Sequence, residues 1–535
     1  MELVVCKYAE RTEKKMSKIW NRLWDKKIFR YAMISAALWS LVHVYAVSRL
    51  MVSHDSLAEF YANATMNSGY TGITWKLALG RFVTPIYQKL FRGTVTLPWL
   101  IGLLSSVFMG LTVYVIARIF EMKRAFPVFM TAGIMLTSPA VFLTAATFIH
   151  DMDVNMLGML LAALAVWCWK EDRWLLWLAG AVCVSLCMGV YACFLSMTVV
   201  MIMFVSILAL LQGEKPAGVL IRGLKAIAMI LAGLALYAVM APAVCRLAGM
   251  ELVQGHYNSI TNMVSQSTRD HLPERIASSY QDVARALGYE MFGHSGSRNM
   301  ASIAVIAAGM AVIAVKAIRG KIGFFAGAMI VVLLALLPVA MDLSVIVGTS
   351  VTYSHDLMKC AFVLAYLLSL LFADGMLCEP GKAAKAAGAF ITLCIAVICW
   401  QYTVQANQIY LKKDLENRFT SSQLTRIMTQ VEQRDDYVPG ETKMLFAGDI
   451  TSQVSHRNEL LQYWGYTGVG INTPIQSWSL YKPYLEYMLG IKVNYCSGEQ
   501  RWELVTDQRV MDMPIYPQTG CMQMIDDVLV IKIGP

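Results

Sequence analysis

The sequence predicts a mainly α-helical, polytopic membrane protein with about eleven spans and a small α/β domain at its C-terminal end. Three observations predict it: composition, regularly recurring apolar segments, and the placement of basic residues between them. Hydrophobic residues make up 57% of the 535-residue chain and charged residues 15%, and mean hydropathy is +0.52. A soluble protein of that length does not carry so little polar surface, so lipid is its main solvent. The formal net charge of +9 does not point to nucleic acid, because the excess is concentrated near the start. There Lys7, Arg11, Lys14, Lys15, Lys18, Arg22, Lys26, Lys27 and Arg30 outnumber Glu2, Glu10, Glu13 and Asp25. A basic leader before an apolar run is a topology signal.

Residues 1–29 therefore read as a basic cytoplasmic segment. The first apolar run, 31–52, is long enough to span and lacks a small-residue cleavage site after it, which makes it a retained signal-anchor. Further apolar runs follow at 97–118, 126–147, 155–169, 174–189, 193–212, 226–247, 300–318, 322–347, 357–377 and 387–406. If each crosses the bilayer, alternate connections share a side. The cytoplasmic connections then carry Arg118, Lys123 and Arg124, Lys170 and Arg173, Lys215, Arg222 and Lys225, Lys316, Arg319 and Lys321, and Lys382 and Lys385. Short outer connections at 148–154, 189–192 and 348–356 carry none, as the positive-inside rule requires. Merging the tight pair 174–189 and 193–212 would invert everything downstream and place the later basic loops outside.

The membrane region thus covers 30–406, with two large outer loops, 53–96 and 248–299. The first mixes aromatic and basic residues in helical-looking stretches, as interfacial helices do. The second holds Arg269, Asp270, His271, Pro273 and an amphipathic run near 274–289, and reads as either a mobile lid or a solvated connection. From 407 to 535 the composition changes to a small outer α/β domain: an amphipathic helix through Leu411, Leu415, Phe419, Leu424, Ile427 and Val431, then strand-like runs at 443–446, 491–495 and 528–533. Cys496 and Cys521 in this domain are a candidate disulfide or two thiols. The cysteines in apolar runs, such as Cys187 and Cys399, read as small apolar residues.

The informative polar residues lie where spans meet the outer surface. Ser53-His54-Asp55 follows the first run, His150-Asp151-Met152-Asp153 joins the third and fourth, and Ser354-His355-Asp356 precedes the tenth. Asp favours helix N-termini, which accounts for Asp356 and for Asp153 taken alone. Asp55 is expected to close a helix, where the dipole disfavours it, so function is its better explanation. Converging carboxylates at a lipid boundary form a site hypothesis. One can act as general base, and an Asp-x-Asp pair can hold a divalent cation such as Mg or Mn or position sugar hydroxyls.

This arrangement resembles the GT-C class of membrane glycosyltransferases, and within it most closely the bacterial type II glucosyltransferases that modify O-antigen. The resemblance rests on His54-Asp55-Ser56-Leu57, on Gly80-Arg81-Phe82 before Pro85 and Tyr87, and on Gly189-Val190-Tyr191 at the end of a span. Ala192 stands where the family pattern has Gln after that tyrosine, so Tyr191 is weighed against a plain interfacial anchor. The resemblance implies transfer of one sugar, with glucose expected, from a polyprenyl-phosphate donor in the bilayer to a hydroxyl of a surface glycan. It places the enzyme in a bacterial cytoplasmic membrane with its chemistry on the outer face. Asp55, with His54 beside it, would be the base. Arg81, Lys359, Tyr191, His355 and Asp356 would meet donor phosphate or substrate, and Asp151 with Asp153 a metal. Headgroup contact by Arg81 and snorkelling by Lys359 are the plainer alternatives. The chain holds no Walker or dinucleotide glycine motif, which fits a lipid-linked donor. A related enzyme acting on protein or lipid, a lipid-glycan flippase, and an assembly scaffold are the competing readings. Transporters place ionisable groups near the bilayer centre, often in repeated halves, unlike the acids here.

Overall fold

The computed structural model describes residues 25–65, 72–253, 271–289, 296–347, 355–452 and 473–535. Most of the basic leader, Arg269, Asp270 and Ser354 lie outside the described residues. Each of the eleven apolar segments is largely helical, with 126–147 split over two helices and 31–52 outlasting its helix. Among the described residues eight helices are long and apolar enough to cross a bilayer, and a pair bent by 45° makes a ninth. Two more apolar helices, Trp174–Val190 and Leu364–Cys378, are shorter.

The first long helix, α1 (Lys26–Val47), is followed by three short helices, α2 (His54–Thr65), α3 (Ile73–Ala78) and α4 (Val83–Tyr87), the last running into a π-turn at Gln88–Arg92. Next come α5 (Pro98–Ile119) and the bent pair α6 (Ala125–Leu136) and α7 (Pro139–Thr147). Pro139 opens α7 and removes the amide that would continue α6, which accounts for the bend. The chain goes on through α8 (Met152–Lys170), α9 (Trp174–Val190), α10 (Leu195–Leu211) and α11 (Pro216–Leu247). Between α9 and α10, Tyr191 is extended at φ −163°, so the tight pair is two helices and not one.

Downstream lie α12 (Leu272–Ala284), α13 (Gly296–Arg319), α14 (Phe324–Met341), α15 (Leu364–Cys378) and α16 (Lys382–Glu432). Helix α12 is neither a free connection nor wholly solvated. It buries Arg275, Ser279, Asp282 and Val283, one face at helical spacing, and packs against α14. The large exposed side chains of α11, α13 and α14, among them Val239, Ile318, Phe324 and Phe325, form the apolar exterior that lipid covers.

At the centre, α8 packs between α5 and α9, and α1 packs on α5 and α6. The 51-residue α16 is ~77 Å long at 1.5 Å per residue. It passes without a break through position 407, where the sequence predicts a domain boundary. The composition changes there because one helix leaves an apolar environment, and the helix itself does not end. It is stapled to the bundle by His43, whose Nδ1 lies 2.7 Å from the Tyr410 hydroxyl and whose Nε2 lies 2.9 Å from the Leu136 carbonyl. Asp414 of α16 also accepts from Tyr45 at 2.7 Å and from Arg49 at 3.1 Å.

The C-terminal domain holds a four-stranded sheet ordered β2-β1-β4-β3. Strand β1 (Lys443–Ala447) runs parallel to β2 (Asn494–Tyr495) and to β4 (Val528–Lys532), and β3 (Met522–Ile525) pairs antiparallel with β4. Cys496 and Cys521 are both free and buried, so the two-thiol reading is the one the structure supports.

Candidate functional site

The first site element is built by Ser53 and Ser56. The Ser53 hydroxyl accepts from the Ser56 amide at 3.2 Å while the Ser56 hydroxyl accepts from the Ser53 amide at 2.7 Å, a reciprocal cap that starts α2. Ser53 also donates to the Thr147 carbonyl at 2.7 Å, fastening α2 to the end of α7. Asp55 consequently lies in the first turn of a helix. This corrects the sequence expectation that it closes one: α1 ends at Val47, and a new helix begins before Asp55. The dipole therefore favours its charge, and helix position alone no longer argues for function. What does argue for it is the cavity that it faces.

That cavity measures about 550 Å³ and lies at one end of the bundle, among the ends of α2, α3, α7, α8 and α9. All three His-Asp dipeptides contribute to it: His54 and Asp55, His150 and Asp151, and His355. Arg81 and Tyr191, which the family resemblance assigns to the site, also line it, whereas Asp153, Asp356 and Lys359 do not. The Asp55 side chain is 49% exposed, with His54 Nε2 at 3.2 Å from its Oδ2.

Arg81 and Tyr191, remote in sequence, form one unit. The guanidinium carbon lies 4.1 Å from the Tyr191 ring centre, a cation–π stack that orients the cation toward the cavity. The stack depends on Gly189. A Cβ there would lie 2.7 Å from Phe82 Cε1 and 2.8 Å from Val83 Cγ2, so only glycine lets the Gly80-Arg81-Phe82 turn approach α9. The two short motifs are thus the two sides of one contact. Gly189→Ala is expected to cost ~1–3 kcal/mol by overpacking and to displace Arg81, read as a lower unfolding temperature of the membrane-embedded protein. Unchanged unfolding would mean that Phe82 yields freely.

Two residues that sequence reasoning passed over, Glu59 and Lys76, dominate the cavity's far wall. The buried Lys76 ammonium lies 2.8 Å from Glu59 and 2.6 Å from Asp151. Burial pushes the Lys76 pKa down, but the Asp151 and Glu59 charges outweigh it and hold it above the ordinary lysine value. Gln88 donates to Asp151 at 3.2 Å. Trp75 and Asn155 also line this wall. Glu59 is four residues after Asp55, on the same face of α2, and that spacing is the signal that could have found it.

Asp153 does not join Asp151. It is fully buried, with Arg92 Nε at 2.7 Å and the Tyr87 hydroxyl at 3.0 Å from its Oδ2. The two acids expected to share a cation thus face different cationic partners, Asp151 with Lys76 and Asp153 with Arg92. The reason is geometric, since residues two apart at a helix start point to nearly opposite sides. Among the described residues no group of three or more His, Cys, Asp or Glu side chains has a metal-holding arrangement.

Lys359 and Asp356 do not line the cavity. They pair with each other at 3.0 Å behind His355. Burial raises the Asp356 pKa against the opposing pull of Lys359. At His355, burial, Lys359 and Arg81 lower the pKa while Asp55 raises it, so Arg81, His355 and Asp55 share one electrostatic field.

Chemically, the cavity lining offers a half-exposed carboxylate, a cation stacked on Tyr191, and a group of paired acids with an amide and an indole. Such a layout can take a proton from one group, neutralise an anion at another, and hold several hydroxyls at a third. A family model described as glucosyl transferase GtrII matches residues 52–373. No curated protein and no solved structure matches the chain. The matched span holds every residue that lines the cavity.

Proposed function

The chain belongs to the glucosyl transferase GtrII family, and from that premise we propose that it moves one glucose from a polyprenyl-phosphate donor to a hydroxyl of a surface glycan. The reaction takes place on the outer face of a bacterial cytoplasmic membrane, with all eleven apolar helices crossing the bilayer and the C-terminal domain outside. The observation that supports this reading best is the single cavity that joins Asp55 to the Arg81–Tyr191 stack at the end of the bundle. Its volume of about 550 Å³ lies in the range of small-molecule sites. Its position suits a donor whose tail stays in lipid.

In this mechanism Asp55 accepts the proton of the attacking hydroxyl as that oxygen bonds to the anomeric carbon. The bond from the anomeric carbon to the phosphate oxygen breaks on the opposite side, so the configuration inverts. The electron pair leaves with the lipid phosphate, whose growing charge Arg81 meets. Glu59, Lys76 and Asp151 hydrogen-bond the sugar hydroxyls, and Trp75 offers its face to the ring. Lys359 acts from behind, holding Asp356. No step passes through a metal ion, because Asp151 and Asp153 are committed to Lys76 and Arg92.

The test uses the full chain in lipid nanodiscs, radiolabelled polyprenyl phosphoglucose, and glycan extracted from cells that lack the protein. Label is expected to enter the glycan at a rate that EDTA leaves unchanged. A nucleotide-linked glucose is not expected to replace the donor. Transfer from the nucleotide sugar alone would sink the proposed donor, and abolition by EDTA would sink the metal-free route.

A further inference from the structure

The family match ends at residue 373, yet the site is approached by a segment about a hundred residues beyond it. In the C-terminal domain, Thr473 and Ile475 are buried, and the Thr473 hydroxyl lies 3.3 Å from that of Thr420 on α16. The Ile475 amide donates to the same Thr473 hydroxyl. This anchored stretch presents Gln476, whose amide nitrogen donates to Nδ1 of His54. With Nδ1 accepting, the ring carries its proton on Nε2, and Nε2 faces Asp55 Oδ2 at 3.2 Å. A second pair of contacts docks the same domain on the same helix: Tyr61 donates to Glu486, and the Phe60 and Tyr487 rings lie 6.0 Å apart.

We propose that Gln476 is a positioning residue for the transfer, setting the His54 tautomer so that its Nε2–H holds the Asp55 carboxylate toward the acceptor. The inference rests on the reading of Asp55 as base. It assigns the C-terminal domain a part in the site: Gln476 hydrogen-bonds His54, whose Nε2 lies 3.2 Å from the Asp55 carboxylate, so a line of contacts runs from the domain into the cavity. A carboxylate that is half exposed swings freely unless something restrains it. His54 is that restraint, and its ring works in this sense only while Nδ1 is an acceptor. Replacing the amide by a group that can only accept reverses the arrangement, because Nδ1 must then carry a proton. Gln476→Glu therefore tests the donor role with almost no change of shape, and the Tyr61 and Phe60 contacts keep the domain docked.

The experiment measures kcat and donor KM with radiolabelled polyprenyl phosphoglucose in nanodiscs for Gln476→Ala, Gln476→Glu, His54→Ala and each double variant, with thermal unfolding as a check on folding. Both Gln476 variants are expected to lower kcat about tenfold, the worth of one orienting hydrogen bond, with KM unchanged. In the His54→Ala background they are expected to add nothing. Wild-type kcat in Gln476→Glu would overturn the proposal, as would effects that multiply with His54→Ala. Asp55→Asn measured alongside separates the two layers. If it transfers at the wild-type rate, the base assignment falls and this inference with it. If it is inactive while both Gln476 variants are normal, this inference alone falls.

Discussion

Asp55→Asn is expected to lower kcat for glucose transfer by at least ~100-fold, the lower end of what general-base catalysis contributes, while the protein inserts and unfolds like the wild type. The second half of that expectation comes from exposure. The carboxylate is 49% exposed, and among the described residues its ion-pair partner is His54, itself part-exposed, so no buried charge is orphaned when its own goes. The reciprocal Ser53–Ser56 cap is untouched, so α2 keeps its first turn. The first half comes from comparison with the other acids. Glu59 and Asp151 share the buried Lys76, and Asp153 is closed off by Arg92. A carboxylate already serving an ammonium is a poor proton acceptor, because protonating it leaves a buried cation unbalanced. Glu59→Gln and Asp151→Asn should therefore act mainly on stability and donor KM. Transfer within about threefold of wild type in Asp55→Asn would move the base elsewhere, to Asp151 first.

The helical framework was legible because lipid makes hydropathy a direct readout of position along a helix, and all eleven apolar runs are largely helical. Topology placed the three His-Asp dipeptides at one end, since alternating connections share a side, and Arg81 and Tyr191 came from the family resemblance; of the acids there, Asp55 and Asp151 line the cavity, and Asp153 and Asp356 do not. Helix direction at Asp55 was not legible. Six residues between Val47 and His54 separate two helices, and nothing in an apolar run marks where it stops being one helix. Lys76 and Arg92 belong to the loop read as interfacial helices, and their pairings with Asp151 and Asp153 span 75 and 61 residues, beyond any local pattern. Strand β3 escaped for a local reason. Its hairpin turns on Asp526-Asp527, both at positive φ, where glycine or asparagine is the usual signal. Gln476 could not have been found from the sequence, since its partner is 422 residues away and a lone glutamine carries no chemical signature.

Arg92→Met is expected to destabilise the protein by ~3–5 kcal/mol, the cost of stranding one member of a buried ion pair. Both side chains of the Arg92–Asp153 pair are 0% exposed. Arg92 also donates to the Gly93 and Val95 carbonyls at 3.2 and 3.3 Å and to the His150 carbonyl. Asp153 in turn accepts from the Tyr87 hydroxyl and from the Val154 amide at 3.0 Å each. The pair thus locks the π-turn at Gln88–Arg92 onto the start of α8, next to the peptide that carries His150 and Asp151. Without Arg92, the buried Asp153 charge loses its cationic partner. Asp153→Leu should be harmful for the mirror-image reason. The double variant Arg92→Met with Asp153→Leu removes both charges and should recover much of the loss, because desolvation no longer has to be offset. Thermal unfolding in nanodiscs measures all three, and a double variant no better than the worse single one would show that the pair's backbone contacts matter more than its charges. Transfer by the double variant then separates scaffold from chemistry. If rate returns with stability, Asp153 serves only to place Asp151. If stability returns and rate does not, the Asp153 carboxylate takes part in the reaction, and the division between a structural Asp153 and a substrate-facing Asp151 is wrong.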